Sequence, residues 1–136
     1  MSAYQKPLPR VTPDNRPFWE AARRHELRLP QCQDCKRLWW PPGPVCPDCL
    51  SERHEWTRVS GRGTVSSWVV FHKAYFPSFA NDIPYAVIQV ELEEGPRLIS
   101  NLVGVPNEEV RVGMPVEVVF DDVSPEISIP RFRPVR

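Results

Sequence analysis

CQDCKRLWWPPGPVCPDC, residues 32–49, holds every cysteine of the chain. Two Cys-x2-Cys pairs, Cys32/Cys35 and Cys46/Cys49, flank a ten-residue connector. Each pair can form a turn that aims two sulfurs at one ion, and two such turns complete a tetrahedral thiolate site. Four like ligands leave no open position for a substrate water. The spacing therefore predicts a structural metal rather than a catalytic one. Tetrahedral sulfur suits both zinc and iron, and zinc is expected because zinc ribbons outnumber rubredoxins. A rubredoxin-like iron centre for electron transfer is the alternative. Disulfides and a redox dithiol rank below either metal.

Trp39-Trp40-Pro41-Pro42 lies inside this connector. A metal ribbon has little core of its own, so large aromatics are its main apolar supply. One tryptophan is expected to cover the metal site. The other is expected on the helix or barrel, with an exposed partner surface as the competing place for either.

On the N-terminal side, Pro7, Pro9 and Pro13 make residues 1–15 an extended arm. Pro17 suits the first turn of a helix, with Asp14 or Asn15 near its cap. Helical spacing of Phe18, Ala22, His25 and Leu29 carries the helix to about Leu29, where Pro30 is expected to stop it.

On the C-terminal side the texture changes to strands. EWTRVS leads through a GRG turn into TVSSWVVFHKAY. PYAVIQVELEEGPRLISNLVGV reads as a hairpin, with Ala86, Ile88, Val90 and Leu92 on its apolar face. VRVGMPVEVVFDDV and ISIPRFRPV complete about five strands. The expected fold is mainly β: an N-terminal arm and helix (1–30), a small zinc ribbon (31–54) and a five-stranded OB-fold barrel (55–136). An SH3-like barrel is the nearest competitor.

The chain has 136 residues, with Lys+Arg equal to Asp+Glu at 17 each. Residues 1–62 carry a net +4 and residues 63–136 a net −4. The acidic barrel segment argues against a nucleic-acid-binding OB-fold, which needs a basic groove with stacking aromatics. The N-terminus has no apolar core of a signal peptide, and no apolar run is long enough to span a bilayer. A cytoplasmic protein that binds no membrane is expected.

No cysteine is left over as a nucleophile. His25, His54 and His72 have no sequence neighbours that make a nucleophile–base pair. The segment 72–85, HKAYFPSFANDIPY, is unusually aromatic for a connection. Tyr75, Phe76, Phe79 and Tyr85 must plug the barrel or face a ligand or partner.

The order FWEA helix, LPQC-x2-C, CPDC, SGRGTVSSWVV, PYAVIQVELEEGPRLISNLV, VGMPVEVVF and PRFRPV resembles an acyl-CoA-associated family. That family, long described as a domain of unknown function, joins an N-terminal helix, a rubredoxin-like zinc ribbon and a C-terminal OB-fold. The resemblance spans roughly residues 16–135. It implies a non-catalytic subunit in a hetero-oligomer with a thiolase-like aldolase or thiolase, as in steroid side-chain breakdown, or with a MaoC-like enoyl-CoA hydratase. The implied role is to complete the partner's assembly and help hold or channel a CoA thioester. Some relatives carry the module fused to a hydratase domain, so a piece of a longer chain is also allowed. By residue type, Lys73, Arg97, Arg131 and Arg133 suit the CoA phosphates. Tyr75, Phe76, Phe79 and Tyr85 suit an acyl channel.

Overall fold

The computed structural model describes residues 5–135. Helix α1 spans Arg16–Arg23, and a reciprocal Thr12–Asn15 pair holds the turn that leads into it. The Thr12 amide donates to Asn15 Oδ1 (2.7 Å) and the Asn15 amide to Thr12 Oγ1 (3.3 Å). Phe18, Ala21 and Ala22 form its buried face.

The helix stops before the expected Leu29. The amides of His25 and Glu26 fold back on the carbonyls of Ala22 and Ala21, each at 2.9 Å. His25 takes φ 62°, the left-handed conformation of a Schellman stop. Glycine usually fills that position, and its absence hid the stop. His25 is therefore past the helix, and Leu29 belongs to strand β1, Arg28–Cys32. Pro30, expected to end the helix, sits inside this strand. β1 pairs antiparallel with β2, His54–Arg58, so Cys32 faces His54 and Pro30 faces Trp56.

Five strands make the barrel: β3 Arg62–Phe71, β4 Tyr85–Leu92, β5 Arg97–Asn101, β6 Pro115–Asp122 and β7 Ser128–Pro134. Their order is β5-β4-β3-β6-β7. A parallel bridge, Leu102 to Phe132, nearly closes the sheet on itself. A three-stranded meander followed by a closing pair, with the first barrel strand shared between both, is the OB-fold connectivity expected from the sequence. β3 is long and bulges between Val65 and Ser67, which lets it bend from one half of the barrel to the other.

The predicted alternation of β4 holds: Ala86, Ile88, Val90 and Leu92 are all buried. They join Val65, Val116 and Phe132 in the barrel core. Phe18, Leu27 and Leu29 enter the same cluster, so the helix and the start of β1 share the barrel's core. Cys32, Trp39 and Cys46 form a second, smaller cluster. At Gly63, β3 passes so close to β4 that a methyl group would collide with the Glu91 carbonyl oxygen. No helix among the described residues is long and apolar enough to cross a membrane.

Candidate metal centre and barrel-end aromatic surface

The four sulfurs converge. All lie within 4.8 Å of one another. Cys32 and Cys49 are 3.5 Å apart, Cys35 and Cys46 3.6 Å. A disulfide needs about 2.05 Å. A tetrahedral tetrathiolate with metal–sulfur bonds of about 2.3 Å has sulfur–sulfur edges of about 3.8 Å. The observed spacing fits the metal cage, and the donor set indicates a structural metal.

The two knuckles repeat one backbone plan. The Cys32 amide donates to Arg37 O and the Cys46 amide to Ser51 O, both at 2.9 Å. The Lys36 amide returns to Cys32 O (3.0 Å) and the Leu50 amide to Cys46 O (2.9 Å). Both turns are closed by a left-handed residue, Lys36 at φ 67° and Leu50 at φ 64°. Within the turns, the Cys35 amide points at Cys32 Sγ and the Asp48 amide at Cys46 Sγ, each at 3.4 Å.

These amides favour thiolates. The Cys35 amide above all holds Cys32 down at about 6. Cys49 is pushed up to about 12: the Ser51 amide favours its thiolate, but the Cys32 sulfur, burial and the Cys35 and Cys46 sulfurs together outweigh it. Four thiolates so close repel one another, and a cation at their centre removes the conflict.

Polar bonds lock one knuckle to the other. Asp34 accepts from Ser51 Oγ and Arg53 Nη2. Arg53, then Ser51, holds Asp34 below its ordinary 3.8. Arg37 meets Asp48 across the same gap at 3.3 Å. Sequence reasoning passed over Asp34, Ser51 and Arg53. Asp34 and Asp48 each stand two residues past the first cysteine of a pair, and Arg37 and Ser51 five residues past it; that repeat was the signal in the sequence.

The tryptophans divide as the connector's composition suggests. Trp39 is buried against Cys32 and Cys46 and meets His54 edge-on at 5.4 Å. Trp40 turns the other way, onto Phe18 of α1, with ring centroids 4.4 Å apart. The ribbon is thereby packed on the helix that shares the barrel's core.

Of the remaining predicted residues, the structure gathers five at one end of the barrel. Tyr75, Phe76, Phe79 and Tyr85 form a chain of ring contacts running through Phe71, with centroids 5.2–6.3 Å apart. Lys73 Nζ lies 5.2 Å from the Tyr75 ring centre. Phe79 and Tyr85 also line a cleft of about 470 Å³ with Arg131 on its wall.

Of the three predicted arginines, Arg131 alone reaches that end, and all three are engaged by carboxylates. Arg131 donates to Asp121 (2.9 Å) and Asn101 (2.7 Å). Arg133 pairs with Glu117 at 3.1 Å. Arg97 pairs with Glu91 at 3.4 Å. It lines, with Trp39 and Trp40, a separate groove of about 1080 Å³ between the ribbon and the β4–β5 hairpin. As for the histidines, His25 Nε2 meets Asp122 Oδ1 at 2.8 Å, but the Ser128 hydroxyl donates to that same carboxylate and not to the imidazole. His54 lies beside Trp39 and His72 is exposed.

Two family models divide the chain between them. Residues 19–55 match "ChsH2, rubredoxin-like zinc ribbon domain", and residues 56–121 match "ChsH2, C-terminal OB-fold domain". A solved chain of the "Ltp2-ChsH2(DUF35) aldolase" is 40% identical, with a TM-score of 0.85 over 93% of this chain and 98% of that one. The chain belongs to the ChsH2/DUF35 family. Among curated relatives of this family, the "Probable enoyl-CoA hydratase alpha subunit" of Thermomonospora curvata is 40% identical over 95% of the chain. The "3-oxo-4,17-pregnadiene-20-carboxyl-CoA hydratase alpha subunit" of Mycobacterium tuberculosis is 36% identical over 86%. The chain spans 40% and 36% of the length of these two relatives.

Proposed function

We propose that this protein is a non-catalytic accessory subunit. It binds a thiolase-type acyl-CoA enzyme, an aldolase or thiolase, or a MaoC-like hydratase, and helps hold or channel the CoA thioester. One observation carries this reading. The fold and sequence follow, nearly end to end, the ChsH2(DUF35) chain of a solved aldolase. The names of the hydratase alpha subunits point to the same acyl-CoA chemistry.

In this reading the metal is zinc, held by Cys32, Cys35, Cys46 and Cys49. With all four positions filled by thiolates, it supplies folding energy to the ribbon and no catalysis. A reduced tetrathiolate suits a cytoplasmic location. Lys73 and the aromatics Tyr75, Phe76, Phe79 and Tyr85 form the surface that geometry favours for a ligand or partner. Arg97, Arg131 and Arg133 are held in ion pairs, so a phosphate would have to compete for them.

The tests are direct. The isolated protein, assayed with acyl-CoA substrates of aldolase, thiolase and hydratase, is expected to give no turnover. Efficient turnover by the chain alone overturns the accessory role. Metal analysis is expected to find one zinc per chain. Iron in its place, with a reversible one-electron couple, favours the second reading, a rubredoxin-like electron carrier, which the sulfur-four cage also fits.

A further inference from the structure

β3 is half covered. Its first residues, Arg62 to Thr64, pair with β6 on one edge, and Gly63 and Thr64 pair with β4 on the other. Val65 makes the last bonds on the β6 side, to Gly113 and Met114. Ser66 is the bulged residue; beyond it residues 67–71 pair with β4, and none of 66–71 pairs with β6. Among the described residues, no backbone group bonds their other edge. The run is SSWVVF.

Edge strands in soluble proteins are usually guarded by charge, proline or a covering element. This one has none of the first two, since residues 64–71 carry no charged side chain and no proline. Both of its faces are also bare. Trp68 is 40% exposed and Val69, pointing to the opposite side, 53%. The strand runs out into the aromatic loop, where Tyr75 and Phe76 are 68% and 54% exposed. Lys73 stands at the end of the strand with a ring beneath it and, among the described residues, no carboxylate partner.

We infer that residues 66–71 are a strand-addition site, and that its occupant is an extended apolar segment of the partner enzyme ending in an acidic residue. The inference rests on the accessory-subunit reading and names the surface that reading needs. Open backbone groups supply the affinity of strand addition, and alternate side chains supply its specificity. The uncharged edge calls for an uncharged strand, and Lys73 calls for a carboxylate. A second copy of this chain fits less well. Antiparallel pairing of the two edges centred between Trp68 and Val69 sets Lys73 opposite Thr64, which leaves the cation without its anion.

Hydrogen exchange on the free chain and on its complex with the Ltp2 aldolase subunit tests this. Amides among residues 66–71 that exchange fast in the free chain are expected to slow at least tenfold in the complex. Val69→Lys, on an exposed position, and Lys73→Glu are each expected to weaken binding at least tenfold with unchanged circular dichroism. Ile99→Lys on β5, across β4 from this strand and away from its open edge, is expected to bind as wild type. If the complex forms with exchange at 66–71 unaltered, or if Val69→Lys binds as wild type, the strand-addition site is wrong while the accessory role stands. If the edge is protected in the isolated chain as a concentration-dependent dimer, the occupant is a second copy and the inference fails. If no complex forms with Ltp2, thiolase or MaoC-like hydratase, the accessory reading fails and takes this inference with it.

Discussion

Trp40 rests on Phe18 with ring centroids 4.4 Å apart and planes tilted by 39°. This contact joins a metal-held module to a helix that also packs on β1 and on barrel strand β7. Trp40 is half-buried, so Trp40→Ala is expected to cost about 2–3 kcal/mol, less than truncation of a fully buried tryptophan. Urea unfolding followed by circular dichroism measures it. Metal content at stoichiometry is expected to be unchanged, because Trp40 faces away from the sulfurs.

Trp39→Ala should behave differently. Trp39 is buried directly on Cys32 and Cys46. Its loss opens the cage as well as removing about 3–5 kcal/mol of packing. The variant is expected to release its metal to a chelator faster than Trp40→Ala does, read with a colorimetric zinc indicator. Equal release rates would mean that the two tryptophans do not divide their roles.

The knuckle turns carry a local cost. Lys36 and Leu50 hold left-handed backbone that glycine adopts freely. That conformation costs a residue with a Cβ about 1–2 kcal/mol, partly offset by the greater chain entropy glycine loses on folding. Lys36→Gly and Leu50→Gly are each expected to stabilise the holo protein modestly, by about 0.5–1 kcal/mol. A fall in the denaturation midpoint for both would contradict the turn geometry.

Gly63→Ala tests the barrel in the opposite direction. The added methyl would strike the Glu91 carbonyl oxygen and approach Val90 Cγ1 to 2.8 Å. The expected destabilisation is about 2–3 kcal/mol by thermal or urea unfolding, in the upper range for overpacking.

Asp122 gives a pH signature. The Ser128 hydroxyl first, and His25 second, hold its carboxyl below the ordinary 3.8. A carboxyl depressed in the folded state stabilises fully above its unfolded value and loses that contribution as pH falls through its folded value. Asp122→Asn is therefore expected to be less stable than wild type at neutral pH. The difference should close below about pH 4, the unfolded carboxylate range. A gap that persists into strong acid would assign the effect to packing.

The sequence was most readable where chemistry or period repeats. Two Cys pairs announce the cage, and the β4 alternation announces the barrel face. What it concealed depends on long-range partners or on unusual residues in special backbone. His25 ends α1 where glycine is customary, so a helical pattern continued on paper into what is strand β1. The His25–Asp122 contact links positions 97 apart in the chain. Arg97, Arg131 and Arg133 looked available by residue type. Only the folded registers showed that Glu91, Asp121 and Glu117 lie within reach of them. The open edge of β3 was likewise invisible. A WVVF run reads the same whether its second edge is paired or bare.

The central claim is that this chain works as a subunit of an acyl-CoA enzyme. Co-expression with a thiolase-like aldolase, pulldown through a tag on this chain and native mass measurement test it most directly. The account predicts a stable hetero-oligomer of defined stoichiometry, with acyl-CoA turnover in the complex and none in the free chain. An isolated chain that stays apart from aldolase, thiolase and MaoC-like hydratase alike, at micromolar concentration and low salt, would contradict it.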